Sequence, residues 1–300
     1  MNNIIVTYPN NENFKFYNEN NIDGFIIGIE GFSENFNYYL KESSLKNTIK
    51  KIISNNQKAY IALNKVIFNE QIPELVKLLK KLNTLEIEAV IFSDIAIFNI
   101  VKEYNLDINL IWNSKMTTNS KSINFFEKRG LYGFIPTSQI TLDEYIDITK
   151  NTKCKSMVKL FGFTNMATSS RKLITNYFKY IKNDKNPNKK YYMYEKITKQ
   201  FYPIIESDNT NFFSSKILNG VLEYKRLINE NIDCNIILDD YLIPENSFYN
   251  VIEAFVALKS HPNDEEFAEK LKMVVNSNLF EETDDGFLNK KTIFKVKNDE

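Results

Sequence analysis

Eight short apolar runs recur along this chain, with helical spacing between most of them. They occupy residues 4–8, 24–29, 59–63, 89–92, 108–112, 133–136, 156–161 and 235–238. Each is rich in β-branched and aromatic residues and nearly continuous in apolar character. A strand of that kind is covered on both faces, as in a parallel sheet flanked by helices. Between the runs, residues 71–82 set Ile72, Leu75, Leu78, Leu79 and Leu82 on one stripe opposite lysines. Residues 98–104, 120–128 and 142–151 repeat that pattern, and Thr141 stands three residues before Glu144, the spacing of a capping box. The fold class this predicts is α/β, a TIM-like (β/α) barrel of about eight parallel strands. An open doubly wound sheet is the rival, but Tyr8-Pro9-Asn10-Asn11 follows the first run, and neither G-x-G-x-x-G nor a Walker loop occurs.

A long insertion, residues 165–230, separates the seventh run from the eighth. Within it 166–182 reads as a helix, 183–190 as a polar loop, 191–196 with 201–206 as a hairpin, and 216–229 as an amphipathic helix. Residues 248–259 and 265–275 read as further helices, and 286–296 has strand character. Residues 1–275 are thus expected to form a barrel domain that includes the insertion, with 276–300 a C-terminal tail packing on it.

Counting excludes several chemistries. Two cysteines, Cys154 and Cys234, are too few for a four-thiolate iron–sulfur cluster, so no such cofactor is expected within this chain. The single histidine, His261, leaves no metal site built on several imidazoles and no ordinary histidine-based triad beyond that one residue, which reads as a helix end before Pro262. Acid–base work falls to carboxylates, lysine, tyrosine or water. Lys+Arg and Asp+Glu both number 38, so no overall field draws the chain to a polyanion or a membrane. The start Met1-Asn2-Asn3-Ile4 lacks a basic leader and a long apolar run, which predicts no membrane span, and unpaired cysteines fit a cytoplasmic setting.

Barrel active sites lie at the carboxyl ends of the strands. Just past the runs stand Glu30, Asn64, Asp94, Asn113, Ser114, Gln139, Gly162, Asp239 and Asp240, and Glu206 closes the second strand of the insertion hairpin. Asp94, Glu206 and Asp239 are the candidate catalytic carboxylates, since two close acids can divide acid and base roles. Asn64, Ser114, Gln139 and Arg171 are the candidate substrate-binding residues. Arg171 is one of three arginines beside 35 lysines, and its planar fork suits a carboxylate or phosphate; an internal salt bridge is the alternative. Residues 171–199 hold nine basic residues against Asp184 and Glu195, interleaved with tyrosines. Lys172, Tyr177, Lys189 and Lys190 are candidate RNA contacts there, because lysines meet phosphates and aromatic faces stack on unpaired bases. The alternative is a solvated loop whose tyrosines pack on the barrel.

Several segments resemble the collagenase-like peptidase family U32 in the same order: Lys58-Ala59-Tyr60-Ile61-Ala62-Leu63-Asn64, Ile91-Phe92-Ser93-Asp94-Ile95-Ala96, residues 162–177, Tyr202-Pro203-Ile204-Ile205-Glu206, residues 231–239 and residues 286–292. The resemblance implies a barrel-like core. The family carries a peptidase label, and it also includes proteins of oxygen-independent hydroxylation, of the tRNA wobble uridine among other substrates. Several such members carry a four-cysteine cluster. Here Phe161, Asn165 and Lys172 stand where a histidine and two of those cysteines would be, which implies a short, cluster-free branch working beside a longer paralogue. Gln139 replaces an acidic residue usual in the family. Wobble-uridine hydroxylation, with tRNA and the paralogue as partners, is therefore the expected role. A peptidase using carboxylate-activated water or a bound metal, and a non-catalytic subunit, are the rivals.

Overall fold

The computed structural model describes residues 2–9, 14–117, 119–186 and 189–290. Its strands are β1 Asn3–Thr7, β2 Gly24–Ile29, β3 Tyr39–Leu40, β4 Lys58–Leu63, β5 Ala89–Phe92, β6 Leu110–Asn113 and β7 Gly133–Ile135. There follow β8 Lys155–Ser169, β9 Tyr191–Glu195, β10 Gln200–Glu206, β11 Thr210–Asn219, β12 Asn235–Leu238 and β13 Thr283–Asp284. Eight of them pair in the order β12-β1-β2-β4-β5-β6-β7-β8, every pairing parallel, and β8 pairs with β12 to close the ring. The protein is a TIM-like barrel, and all eight apolar runs supply its staves.

Two apolar layers explain why those runs are continuous rather than alternating. Ile5, Ile26, Tyr60, Ile91, Ile111, Ile135, Met157 and Ile237 fill the barrel interior. Their strand neighbours Ile4, Phe25, Ile61, Val90, Phe134, Val158 and Ile236 pack outward beneath the helices. Successive residues of a strand face opposite ways, so both parities must be apolar. Helix Ile72–Leu82 buries Leu75, Leu78, Leu79 and Leu82 against this outer layer. Helix Leu142–Lys150 starts at the anticipated capping box, in which Thr141 Oγ1 accepts from the Glu144 amide while Glu144 Oε2 accepts from the Thr141 amide at 2.7 Å.

The insertion differs from its sequence expectation. Residues 166–169 are not helical but prolong β8 to fifteen residues, and the helix begins only at Leu173, ending at Tyr180. Likewise 216–219 belong to β11, and helix Val221–Asn229 is the outer crossover before β12. The reason is long-range pairing: β11 runs antiparallel to β8 from Thr210↔Ser169 to Asn219↔Phe161, which overrides local propensity. The expected hairpin is β9 with β10, and β10 pairs with β11 in turn. In the tail, β13 pairs with β11, Phe287 to Asn289 form a turn, and the Leu288 carbonyl accepts from the Leu142 amide at 2.8 Å. Residues 291–296 lie outside the described residues. No described helix is long and apolar enough to cross a membrane.

Candidate functional site

Above the apolar filling, at the carboxyl ends of the barrel strands, lies a cavity of about 240 Å³. Strand parity decides which polar residues reach it. Ile5, Ile91 and Ile237 point inward, so Thr7, Ser93 and Asp239, each two residues on, point inward as well and line the cavity. On β8 the inward position after Met157 is Lys159.

Lys159 and Asp239 form the charged centre. Lys159 Nζ lies 2.5 Å from Asp239 Oδ2 and donates to the Phe163 carbonyl at 2.6 Å. Asp239 Oδ1 accepts from the Tyr241 amide at 3.0 Å. Two of the three ammonium donors are thus engaged, and one remains for a ligand. Glu34 brings a second carboxylate to the cavity wall, where its Oε2 accepts from Asn209 Nδ2 at 3.2 Å. Asn209 sits in the turn between β10 and β11. Next to it Asp208 pairs with Lys65 at 2.5 Å, so the insertion turn is pinned onto the barrel mouth. The cavity therefore combines the Lys159 ammonium, that of Lys115 on its wall, two carboxylates and several hydroxyls and amides above an apolar floor. It is suited to holding a small polar ligand and to passing a proton between Lys159 and a carboxylate.

Of the candidate catalytic and binding residues four line this cavity, Asn64, Ser114, Gln139 and Asp239, and Asn113, also just past a strand, lines it as well. Asn64 has a scaffolding duty, since its Oδ1 accepts from the Glu34 amide at 3.0 Å and its Nδ2 donates to the Glu34 carbonyl at 3.1 Å. Three expectations need correction. Asp94 has the wrong parity for the cavity; it caps helix Ile95–Glu103, with Oδ1 accepting from Ala96 N at 2.9 Å and Oδ2 from Ile67 N at 3.0 Å. Glu206 is held inside the insertion by Lys185 Nζ at 2.7 Å and by the Thr175 amide and hydroxyl. Arg171 lies outside the cavity lining, exposed, with no ion pair among the described residues; its backbone alone is engaged, the amide donating to Ser169 Oγ and the carbonyl accepting from Thr210 Oγ1. Lys172, Tyr177, Lys189 and Lys190 are exposed on the insertion. Sequence reasoning misses Lys159, Glu34 and Thr7. A lysine inside the apolar run 156–161 is the available signal for the first.

The cysteines are buried, immediately before β8 and β12, at the end of the barrel opposite the cavity. Burial pushes each thiol up to about 11, so neither is a ready thiolate at neutral pH. Asn165 lines the cavity and Lys172 is exposed, and neither is a thiolate ligand. These residues do not fit a four-cysteine cluster held by this chain alone.

Two acids outside the cavity lining give checks of the electrostatics around it. Burial pushes Asp240 up to about 6, against the pull of the Thr7 hydroxyl and with help from the neighbouring Asp239 charge. A carboxyl whose folded pKa is raised stabilises the fold only while protonated, so its contribution is lost as pH rises from about 4 to 6. Asp240→Asn is expected to raise stability at pH 7.5 by about 1–2 kcal/mol and to flatten that pH dependence, measured by urea unfolding across the range. Glu206 behaves oppositely. Burial alone would raise it, but the Lys185 ammonium and the two Thr175 donors outweigh burial and hold it at about 2. Its contribution is present above the ordinary carboxylate range and lost as pH falls through about 2. Glu206→Gln is expected to speed amide exchange in helix Leu173–Tyr180 by about tenfold or more, while barrel amides stay protected.

The sequence matches the family model for peptidase family U32 over residues 10–296. It is 26% identical over 252 residues to tRNA hydroxylation protein P2 of Bacillus subtilis (strain 168), covering 79% of this chain and 81% of that protein. It is 27% identical over 134 residues to an uncharacterized protease of Methanocaldococcus jannaschii, covering 43% of this chain and 32% of that one. A U32 peptidase of solved structure shares the fold, with a TM-score of 0.50 at 12% identity over 79% of this chain and 92% of that chain. A match running through nearly every strand of the barrel settles membership: this chain belongs to peptidase family U32.

Proposed function

We propose that this chain acts in the hydroxylation of a tRNA wobble uridine, as the short member of a pair with a longer, cluster-bearing paralogue. The observation that carries this reading is the likeness to a tRNA hydroxylation protein across about four-fifths of both chains. Hydroxylating a ring carbon replaces C–H by C–OH and withdraws two electrons. Lysine, carboxylate and hydroxyl groups do not accept electrons, so Lys159, Asp239 and Glu34 would bind, orient and move protons, and the oxidant would come from the bound co-substrate or the paralogue. A peptidase reading finds less support. A histidine base is out of reach, since His261 caps the far end of helix Glu245–Ser260 and packs on Phe267, and of the candidate carboxylates for activating water Asp94 and Glu206 lie outside the cavity.

The test is nucleoside mass spectrometry of tRNA from a strain lacking the gene, alone and with the paralogue also removed. Loss of the hydroxylated wobble uridine, restored by the gene on a plasmid, is the expected result. Unchanged modification in both strains would overturn the proposal.

A further inference from the structure

The insertion is a separate working surface. β8 continues past its last contact with β12 at Phe161, so the β8-β11-β10-β9 sheet rises from the same end of the barrel as the cavity. Phe178 of helix Leu173–Tyr180 packs on Tyr191 of β9 at 5.3 Å, and Glu206 of β10 grips Thr175 and Lys185, so helix and ribbon form one unit.

Aromatic side chains of this unit face solvent instead of the barrel. Tyr180 is 85% exposed, Tyr177 and Phe201 59%, and Tyr194 49%. Tyr194 and Phe201 stand opposite each other across the ribbon with ring centroids 4.9 Å apart. Tyr192, two residues before Tyr194, shares its face and is also exposed. Tyrosines packed on the barrel, the bland expectation for this stretch, are therefore not what the structure holds. Around these rings residues 171–199 carry a formal +7 in a chain that is neutral overall, so the remainder carries −7. Of the eight lysines in the stretch only Lys185 has an ion pair among the described residues. The outer edge of β9 has no strand beside it there. An open aromatic edge invites pairing with another copy of the chain, but two such edges would bring +7 against +7. A polyanion with unpaired bases meets the charge and the rings together.

We propose that helix Leu173–Tyr180 and the β9–β10 ribbon dock a single-stranded nucleic-acid loop, with the aromatic rings stacking on its bases and the lysines meeting its phosphates. This rests on the tRNA reading, since the wobble uridine lies in such a loop, and it places that loop beside the cavity mouth.

The experiment is fluorescence anisotropy of the full-length chain with a labelled anticodon stem–loop and with a blunt RNA duplex, at several salt concentrations. The stem–loop is expected to bind more tightly than the duplex. Tyr194→Ala with Phe201→Ala should weaken stem–loop binding by about tenfold or more, and Tyr194→Phe with Phe201→Tyr should not. Lys189→Glu with Lys190→Glu should flatten the salt dependence by about 0.7 in log–log slope for each phosphate that the lysines no longer neutralise. Variants that melt like the wild type and bind the stem–loop unchanged would overturn the proposal. So would equal affinity for the duplex, or loss of paralogue or self-association in the alanine variant with RNA affinity intact. Parallel nucleoside analysis separates the two readings. If variants lose RNA affinity while deleting the gene leaves the wobble uridine unchanged, the surface stands and the function fails. If modification depends on the gene while variant affinity is intact, the function stands and the surface fails.

Discussion

Lys159→Met is expected to abolish complementation of the deletion strain while leaving a folded barrel. The ammonium it removes is the only cation hydrogen-bonded to Asp239 among the described residues, and it carries a charged donor left open to the cavity beside that carboxylate. Deleting a preorganised charged donor from such a site costs about 10²–10³ in turnover. The stability cost is smaller. Both side chains of the pair retain about a fifth of their exposure, so the orphaned Asp239 stays partly hydrated and the loss is about 1–3 kcal/mol. Asp239→Asn should cost about as much. The double variant should cost less than the sum by about 1–2 kcal/mol, because the second change removes a group already stranded by the first. Urea unfolding of the four proteins measures this directly. Strict additivity would mean that the two charges do not hold one another. Complementation by Lys159→Met would mean that the cavity is not where the function resides.

The barrel was legible because its cause is local. A strand buried on both faces must be apolar at both parities, and each such run, from Ile4 to Leu238, became a stave. The cavity was only half legible. Reading the polar residue after each strand finds residues near the rim but not the direction they face. Parity separates Ser93, which lines the cavity, from Asp94, which caps a helix. It also makes Lys159 a site residue although it lies inside a strand. The long course of β8 was not legible, because Met166 to Ser169 has no strong β preference and is extended only by its pairing with β11. Glu206 was misassigned for the same reason: its partners Thr175 and Lys185 come from elements whose placement depends on that pairing.

Gly162→Ala is expected to be among the most damaging small substitutions in the protein. At Lys159 to Phe161 the register of β8 against β12 slips, and this irregularity turns β8 out of the barrel toward β11. Gly162, just past the slip, sits at φ +117°, and a Cβ there would lie 2.5 Å from the Asp239 carbonyl oxygen and 3.2 Å from Lys159 Cε. The obstacle is backbone, not the tip of a flexible side chain, so the two strands would have to part. Gly31 offers the control. It too has a positive φ, +85°, but nothing lies within 4 Å of where its Cβ would be. Gly31→Ala should therefore cost about 1 kcal/mol for backbone conformation alone, and Gly162→Ala about 3 kcal/mol or more. The difference between the two midpoints of urea unfolding isolates the close approach of β8 to Asp239 from the left-handed conformation both glycines share. The same approach fixes the distance between Lys159 and Asp239, so Gly162→Ala should also depress complementation more than its stability loss explains. Equal costs at the two glycines would show that the strands are not packed this closely, and the ion pair at the centre of the cavity would lose its geometric basis.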